Sequence, residues 1–112
     1  MKRACRSRAW SLIMGWADVL CLLGHDEECV VAAKERAVNL VDFHFSKIKR
    51  LTISPSLLAA AALYIACFEN NVKVTQRLMG LLAGRSEKGV RDNYKKLREE
   101  LGLLDDFGWI FL

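Results

Sequence analysis

Twelve consecutive apolar residues, Leu57 to Phe68, constrain this chain more than any other feature. They follow Ser54-Pro55, a helix-start signal: the serine hydroxyl can accept a backbone N–H, and proline at the first helical position loses nothing because its N–H would be orphaned anyway. The spacing predicts a helix from Pro55 to Glu69, ended by Asn70 and Asn71. The apolar run is too short to cross a bilayer, which takes about 20 residues. A helix that is apolar almost all round and does not span a membrane belongs in the middle of a helical bundle. Ala59 to Ala62 lets its neighbours approach closely.

The remaining segments supply those neighbours. At 112 residues the chain fits one domain, and 53% hydrophobic with 27% charged residues is a globular composition. Trp10, Ile13, Ala17, Leu20 and Cys21 recur at helical spacing, which predicts a first helix ending near Gly24. Asp26 caps a second helix with Val30, Ala33, Ala37, Leu40, Val41, His44, Phe45 and Ile48 facing inward, and Lys47, Lys49 and Arg50 suit its C-terminus. Thr75 caps a short fourth helix, Gln76 to Ala83, and Gly84 supplies a turn where positive φ is cheap only for glycine. Ser86 caps a fifth helix that runs to about Leu101 and stops at Gly102. No strand candidate competes. The expectation is an all-α bundle of five helices over residues 10–103, after a basic segment (1–9) and before an apolar tail (104–112). The last two helices, joined by a tight glycine turn, form a helix-turn-helix pattern.

The fifth helix is two-sided. At 100° per residue, Val90, Tyr94, Leu97 and Leu101 fall within about 60° of one another, and Lys88, Arg91, Lys95 and Arg98 within about 80°. The apolar arc is expected to pack and the cationic arc to lie open on the opposite side. Net charge is only +4, but eight of the 17 basic residues lie between Val72 and Gly102. This pattern fits duplex DNA. Arg91 is the expected base reader, because its planar fork can bond O6 and N7 of guanine together. Lys88 reaches a base or a phosphate, and Lys95 and Arg98 hold phosphates. Gln76, Arg77 and Arg85 add backbone contacts from the preceding helix and turn. A plain solvated face on a surface helix is the alternative.

Other chemistry finds little footing. Cys5, Cys21, Cys29 and Cys67 lie far apart, without the paired spacing of a zinc site, so no metal or other cofactor is expected. Cys21 and Cys67 sit in apolar helical patterns, as core thiols do. His44 reads as a hydrogen-bonded core residue and His25 as a loop residue. No catalytic triad, Cys-His pair, carboxylate dyad or phosphate-cradling glycine loop is legible, so no enzymatic activity is expected. Asp18 interrupts the basic-apolar start and no small-residue cleavage site follows, which suits an intracellular protein rather than a secreted one. The tail from Phe107 to Leu112 either folds back on the bundle or forms a contact for a partner. The oligomeric state is open.

Three motifs in order carry a resemblance: SPSLLAAAALYIAC (Ser54 to Cys67), VTQRLMGLLAG (Val74 to Gly84) and VRDNYKKLREELG (Val90 to Gly102). Together they resemble the second cyclin-like repeat of the general transcription factor IIB family, especially its archaeal form, transcription factor B. The resemblance implies a five-helix cyclin-like bundle ending in a helix-turn-helix. In that family this element reads promoter DNA beside the TATA box, together with the TATA-binding protein. The family's base-reading arginine corresponds to Arg91. Its accompanying valine corresponds to Lys88 and the following threonine to Gly89, and the lysine favours a phosphate or a different base. Full members also carry a zinc ribbon, a linker and two repeats, whereas this sequence has room for one repeat. That suggests a regulator built on the repeat or a fragment of a larger factor. The rival expectation is a protein-interaction module, since cyclin-like bundles often dock other proteins in grooves between helices.

Overall fold

The computed structural model of the protein describes residues 2–47 and 53–100. They form five α-helices and no strand: α1 (Lys2–Leu22), α2 (Glu27–Lys47), α3 (Pro55–Glu69), α4 (Gln76–Ala83) and α5 (Glu87–Glu100). The expected all-α five-helix architecture is what the described residues adopt. The inward position of Ile48, the charges of Lys49 and Arg50, the end of the fifth helix at Leu101 and Gly102, and the tail lie outside the described residues.

The starts and stops follow local chemistry. Ser54 Oγ accepts from the Leu57 N–H at 3.3 Å, with Pro55 opening α3. Asp26 Oδ2 accepts from the Cys29 N–H at 3.1 Å at the head of α2. Asn70 closes α3 by donating its side-chain amide to the Ala66 carbonyl at 2.9 Å, and Asn71 takes φ of 60°, a left-handed conformation that asparagine tolerates better than most residues. One boundary differs from expectation. α1 begins at Lys2 rather than near Trp10, so the basic segment is helical. No Pro or Gly breaks residues 2–14, and Ala9 is fully buried, so the core anchors the added turns.

α3 lies at the centre and packs against each of the other four helices. Leu58 through Ala66 are buried without interruption, and burial of Leu58, Leu63 and Ile65 contributes about 1.5–3 kcal/mol each. Ile13, Trp16, Ala17 and Leu20 of α1 and Val30, Ala33, Ala37, Leu40 and Val41 of α2 complete one side of this core. Three long-range polar contacts fix how the helices sit. Arg36 Nε donates to Glu69 Oε1 at 2.7 Å, joining α2 to the end of α3. Trp10 Nε1 donates to Asp42 Oδ1 at 3.0 Å, joining α1 to α2. His44 is buried and pairs through Nδ1 with Glu100, joining α2 to the last residue of α5.

Among the cysteines, Cys67 is buried and Cys21 only half-buried, so the core-thiol expectation holds fully for Cys67 alone. Burial pushes the Cys67 thiol up to about 12. Two outcomes are expected. Ala60→Leu should overpack the α3 seam and cost about 1–3 kcal/mol, read as a lowered midpoint in urea unfolding. Cys67 should resist a thiol reagent at pH 8 in the folded protein and react once urea unfolds it, whereas the partly exposed Cys29 should react in both states, followed by mass spectrometry.

Candidate nucleic-acid interface

α4 and α5 are joined by a turn whose geometry the glycines permit. Thr75 Oγ1 accepts from the Leu78 N–H at 3.0 Å and starts α4. Gly84 closes it at φ 66°, and the Arg85 N–H donates to the Gly80 carbonyl at 2.8 Å. Ser86 Oγ then accepts from the Gly89 N–H at 3.0 Å and starts α5. Gly80 is the tightest point. A Cβ there would sit 2.7 Å from the Arg85 carbonyl oxygen and 3.3 Å from the Ser86 carbonyl carbon. The backbone of the turn therefore lies directly on α4 at Gly80. A glycine in the middle of a helical pattern usually has such a packing reason, and that signal was present in the sequence.

α5 is held from its apolar side. Val90 and Tyr94 are fully buried and Leu97 nearly so. The Tyr94 ring packs at 5.0 Å between centroids on Tyr64 of α3. Burial pushes both phenols up, offset in part at Tyr64 by the Gln76 side chain and then Arg91, and at Tyr94 by the charges of Arg98 and then Arg91.

The cationic arc is graded rather than uniformly open. Counted around the helix from Tyr94, Arg98 lies about 40° away, Arg91 about 60°, Lys95 about 100° and Lys88 about 120°. Exposure follows this order: Arg98 is buried at 8%, the Arg91 side chain is 43% exposed, and the Lys88 side chain is 80% exposed, with Lys95 also exposed. The two arcs are thus flanking, not opposite, and Arg98 falls on the rim of the packed stripe instead of the open face. Lys96, which the sequence reading left out of the arc, is exposed.

The other expected contacts divide similarly. Arg77 and Arg85 are exposed, and Arg85 Nε donates to Ser56 Oγ at 3.4 Å. Gln76 is buried at 5%, and its Oε1 accepts from Arg91 Nε at 3.0 Å. Arg91 also reaches Glu87 through Nη2 at 3.5 Å, and Lys88 Nζ meets Asp92 Oδ2 at 3.2 Å. Both are solvent-facing pairs four residues apart, worth about 0.3–0.5 kcal/mol each and readily exchanged for another anion. Beside Gln76 and Glu87 opens a groove of about 620 Å³, walled by Tyr64, Phe68, Val72 and Val74. Among the described residues no three His, Cys, Asp or Glu side chains converge as metal ligands, and no helix is long and apolar enough to cross a membrane.

This geometry can be set beside known proteins. No protein-family model matches the chain. Individual proteins do: 62% of the chain is 37% identical over 70 residues to transcription initiation factor IIB of Pyrococcus abyssi. The chain resembles archaeal transcription initiation factor IIB. Transcription initiation factor IIB 2 of Thermococcus kodakarensis is 49% identical over 73 residues, again 62% of this chain. The Aeropyrum pernix factor IIB aligns over 90 residues, 79% of this chain and 26% of its own length, at 28% identity. The similarity agrees with one cyclin-like repeat of that family. It spans 23% of the length of the Pyrococcus and Thermococcus relatives.

Gly80→Ala should destabilise the α4–α5 unit by more than Gly84→Ala, although alanine is the better helix former. At Gly80 the obstacle is backbone that cannot swing away; at Gly84 the cost is the positive φ alone, about 1 kcal/mol. Urea denaturation of the two variants compares them directly. If the Gly80 variant matches wild type, the close approach is not there.

Proposed function

We propose that the chain is a DNA-binding domain acting in transcription, using α4 and α5 as a helix-turn-helix with α5 as the recognition helix. The single observation that carries this is the open part of α5. Lys88, Arg91 and Lys95 present charge outward while Val90, Tyr94 and Leu97 hold the same helix against the core. An α-helix so held can enter the major groove, where base edges carry a distinct donor and acceptor pattern. Exposed Arg77 and Arg85 extend the cationic surface onto α4 and the turn and suit phosphate oxygens. The similarity to transcription initiation factor IIB supports a role in transcription.

In this reading Arg91 bonds guanine, Lys88 takes a base or a phosphate, and Lys95 holds a phosphate. Arg98, on the buried rim, supports the helix and reaches DNA least. The TATA-binding protein is the proposed protein partner, carried over from the family resemblance. An interaction module without DNA binding is the second reading, and the apolar groove beside α4 is the feature that favours it. Salt separates the two, because phosphate contacts weaken steeply with added salt and apolar docking does not.

Selection of bound duplexes from a random pool, with and without a TATA-binding protein, is the direct test. Within the selected site, Arg91→Ala should cost about 1–3 kcal/mol at one guanine position. Lys95→Ala should weaken all sequences alike and reduce the slope of log affinity against log salt by about one. A chain that binds no duplex at low salt, with or without that partner, would sink the DNA reading.

A further inference from the structure

We infer that Gln76 is the positioning residue for Arg91: from the first turn of α4 it holds Nε and turns the two terminal nitrogens outward to meet guanine. This rests on the DNA reading above and deepens it. A guanidinium can offer a planar acceptor pair either its side edge, Nε with Nη2, or its end, Nη1 with Nη2. The bond from Nε to Gln76 Oε1 at 3.0 Å occupies the side edge, so the end is what remains for a base. The other claim on the end is Glu87 at 3.5 Å, a solvent-facing contact that a base can displace.

Gln76 is itself fixed. Thr75 caps the turn that carries it, the residue is 5% exposed, and it lies beside the buried Tyr64 on the wall of the groove. A primary amide has a donor end and an acceptor end. Its carbonyl accepts from Arg91, so the donor end of the amide is the one left for the Tyr64 side, where both residues line the same groove. Tyr64 also packs on Tyr94, so the same ring that seats α5 orients the amide. An arginine side chain otherwise loses substantial rotamer freedom on binding, and holding it in place beforehand removes part of that loss. A buried Gln76 is a poor phosphate ligand, so its effect on binding should be confined to the base that Arg91 reads.

The test compares wild type, Gln76→Leu, Gln76→Glu, Arg91→Ala and the Gln76→Leu/Arg91→Ala double variant on the selected duplex and on one with the guanine pair replaced. Circular dichroism checks that each is folded. Gln76→Leu should reduce discrimination at that pair towards the Arg91→Ala value, up to the roughly 5- to 150-fold that one bidentate contact supplies, and leave the salt slope unchanged. Gln76→Glu keeps an acceptor for Nε and should keep the discrimination. The double variant should be no worse than Arg91→Ala. A second measurement needs no DNA: in the free protein the Arg91 Nε–H should exchange with water more slowly than that of Arg77, and Gln76→Leu should abolish the difference. If Gln76→Leu weakens both duplexes equally, or the Arg91 Nε–H is no slower than that of Arg77, the inference is overturned while the DNA reading stands. If wild type binds no duplex, the DNA reading itself falls, and the inference with it.

Discussion

Everything in this bundle leans on α3. Its side chains are buried on all sides from Leu58 to Ala66, so it cannot lie on a surface and must be surrounded. The alanines let the other helices come close, and the large residues Leu58, Leu63, Tyr64 and Ile65 bury apolar area among them. Because α1, α2, α4 and α5 each touch α3, their positions relative to one another are settled largely through it. The proposed interface depends on the same constraint. Tyr64 of α3 seats Tyr94 and, through Gln76, bears on Arg91, so a surface side chain is tied in two steps to the core.

The polar contacts do a different job from the apolar ones. Arg36 with Glu69 and Trp10 with Asp42 join helices at their partly exposed margins, whereas His44, buried, meets Glu100 through Nδ1. They add little to the driving force but restrict which packing is acceptable, since shifting a helix would leave a partly buried polar group unsatisfied. On α5 the pairs Lys88–Asp92 and Arg91–Glu87 are looser and solvent-facing. Exposed pairs of this kind are weak and yield readily to another anion.

The candidate interface was only partly legible from residue order. The periodicity of Val90, Tyr94 and Leu97 told which side of α5 packs, and Lys88 and Lys95 lie on the exposed side as that pattern implies. Arg98 and Gln76 did not follow. Arg98 lies one helical step from Tyr94, and the width of the packed stripe depends on how α5 is rolled against α3, which sequence spacing does not specify. Gln76 opens α4 and reads as exposed in a short amphipathic segment, yet the proximity of Tyr64 and Arg91 draws it inward. The start of α1 lies earlier than the apolar spacing from Trp10 implies, because Cys5 and Ala9 also pack against the core and Arg6 stacks on the Trp10 ring.

What the sequence determined by itself is the helices of the described residues, their caps and the apolar positions at the centre of each packed stripe, because these depend on contacts within a few residues and on a period of 3.6. Ser54-Pro55, Asp26, Thr75, Gly84 and Ser86 act locally and did as their chemistry dictates. What only the tertiary structure decided is the company each side chain keeps: Trp10 with Asp42, Arg36 with Glu69, His44 with Glu100, and Gln76 with Arg91. Those partners are 15 to 56 residues apart in the chain. Their meeting depends on how the helices cross around α3, and that is a property of packed volumes rather than of order along the chain.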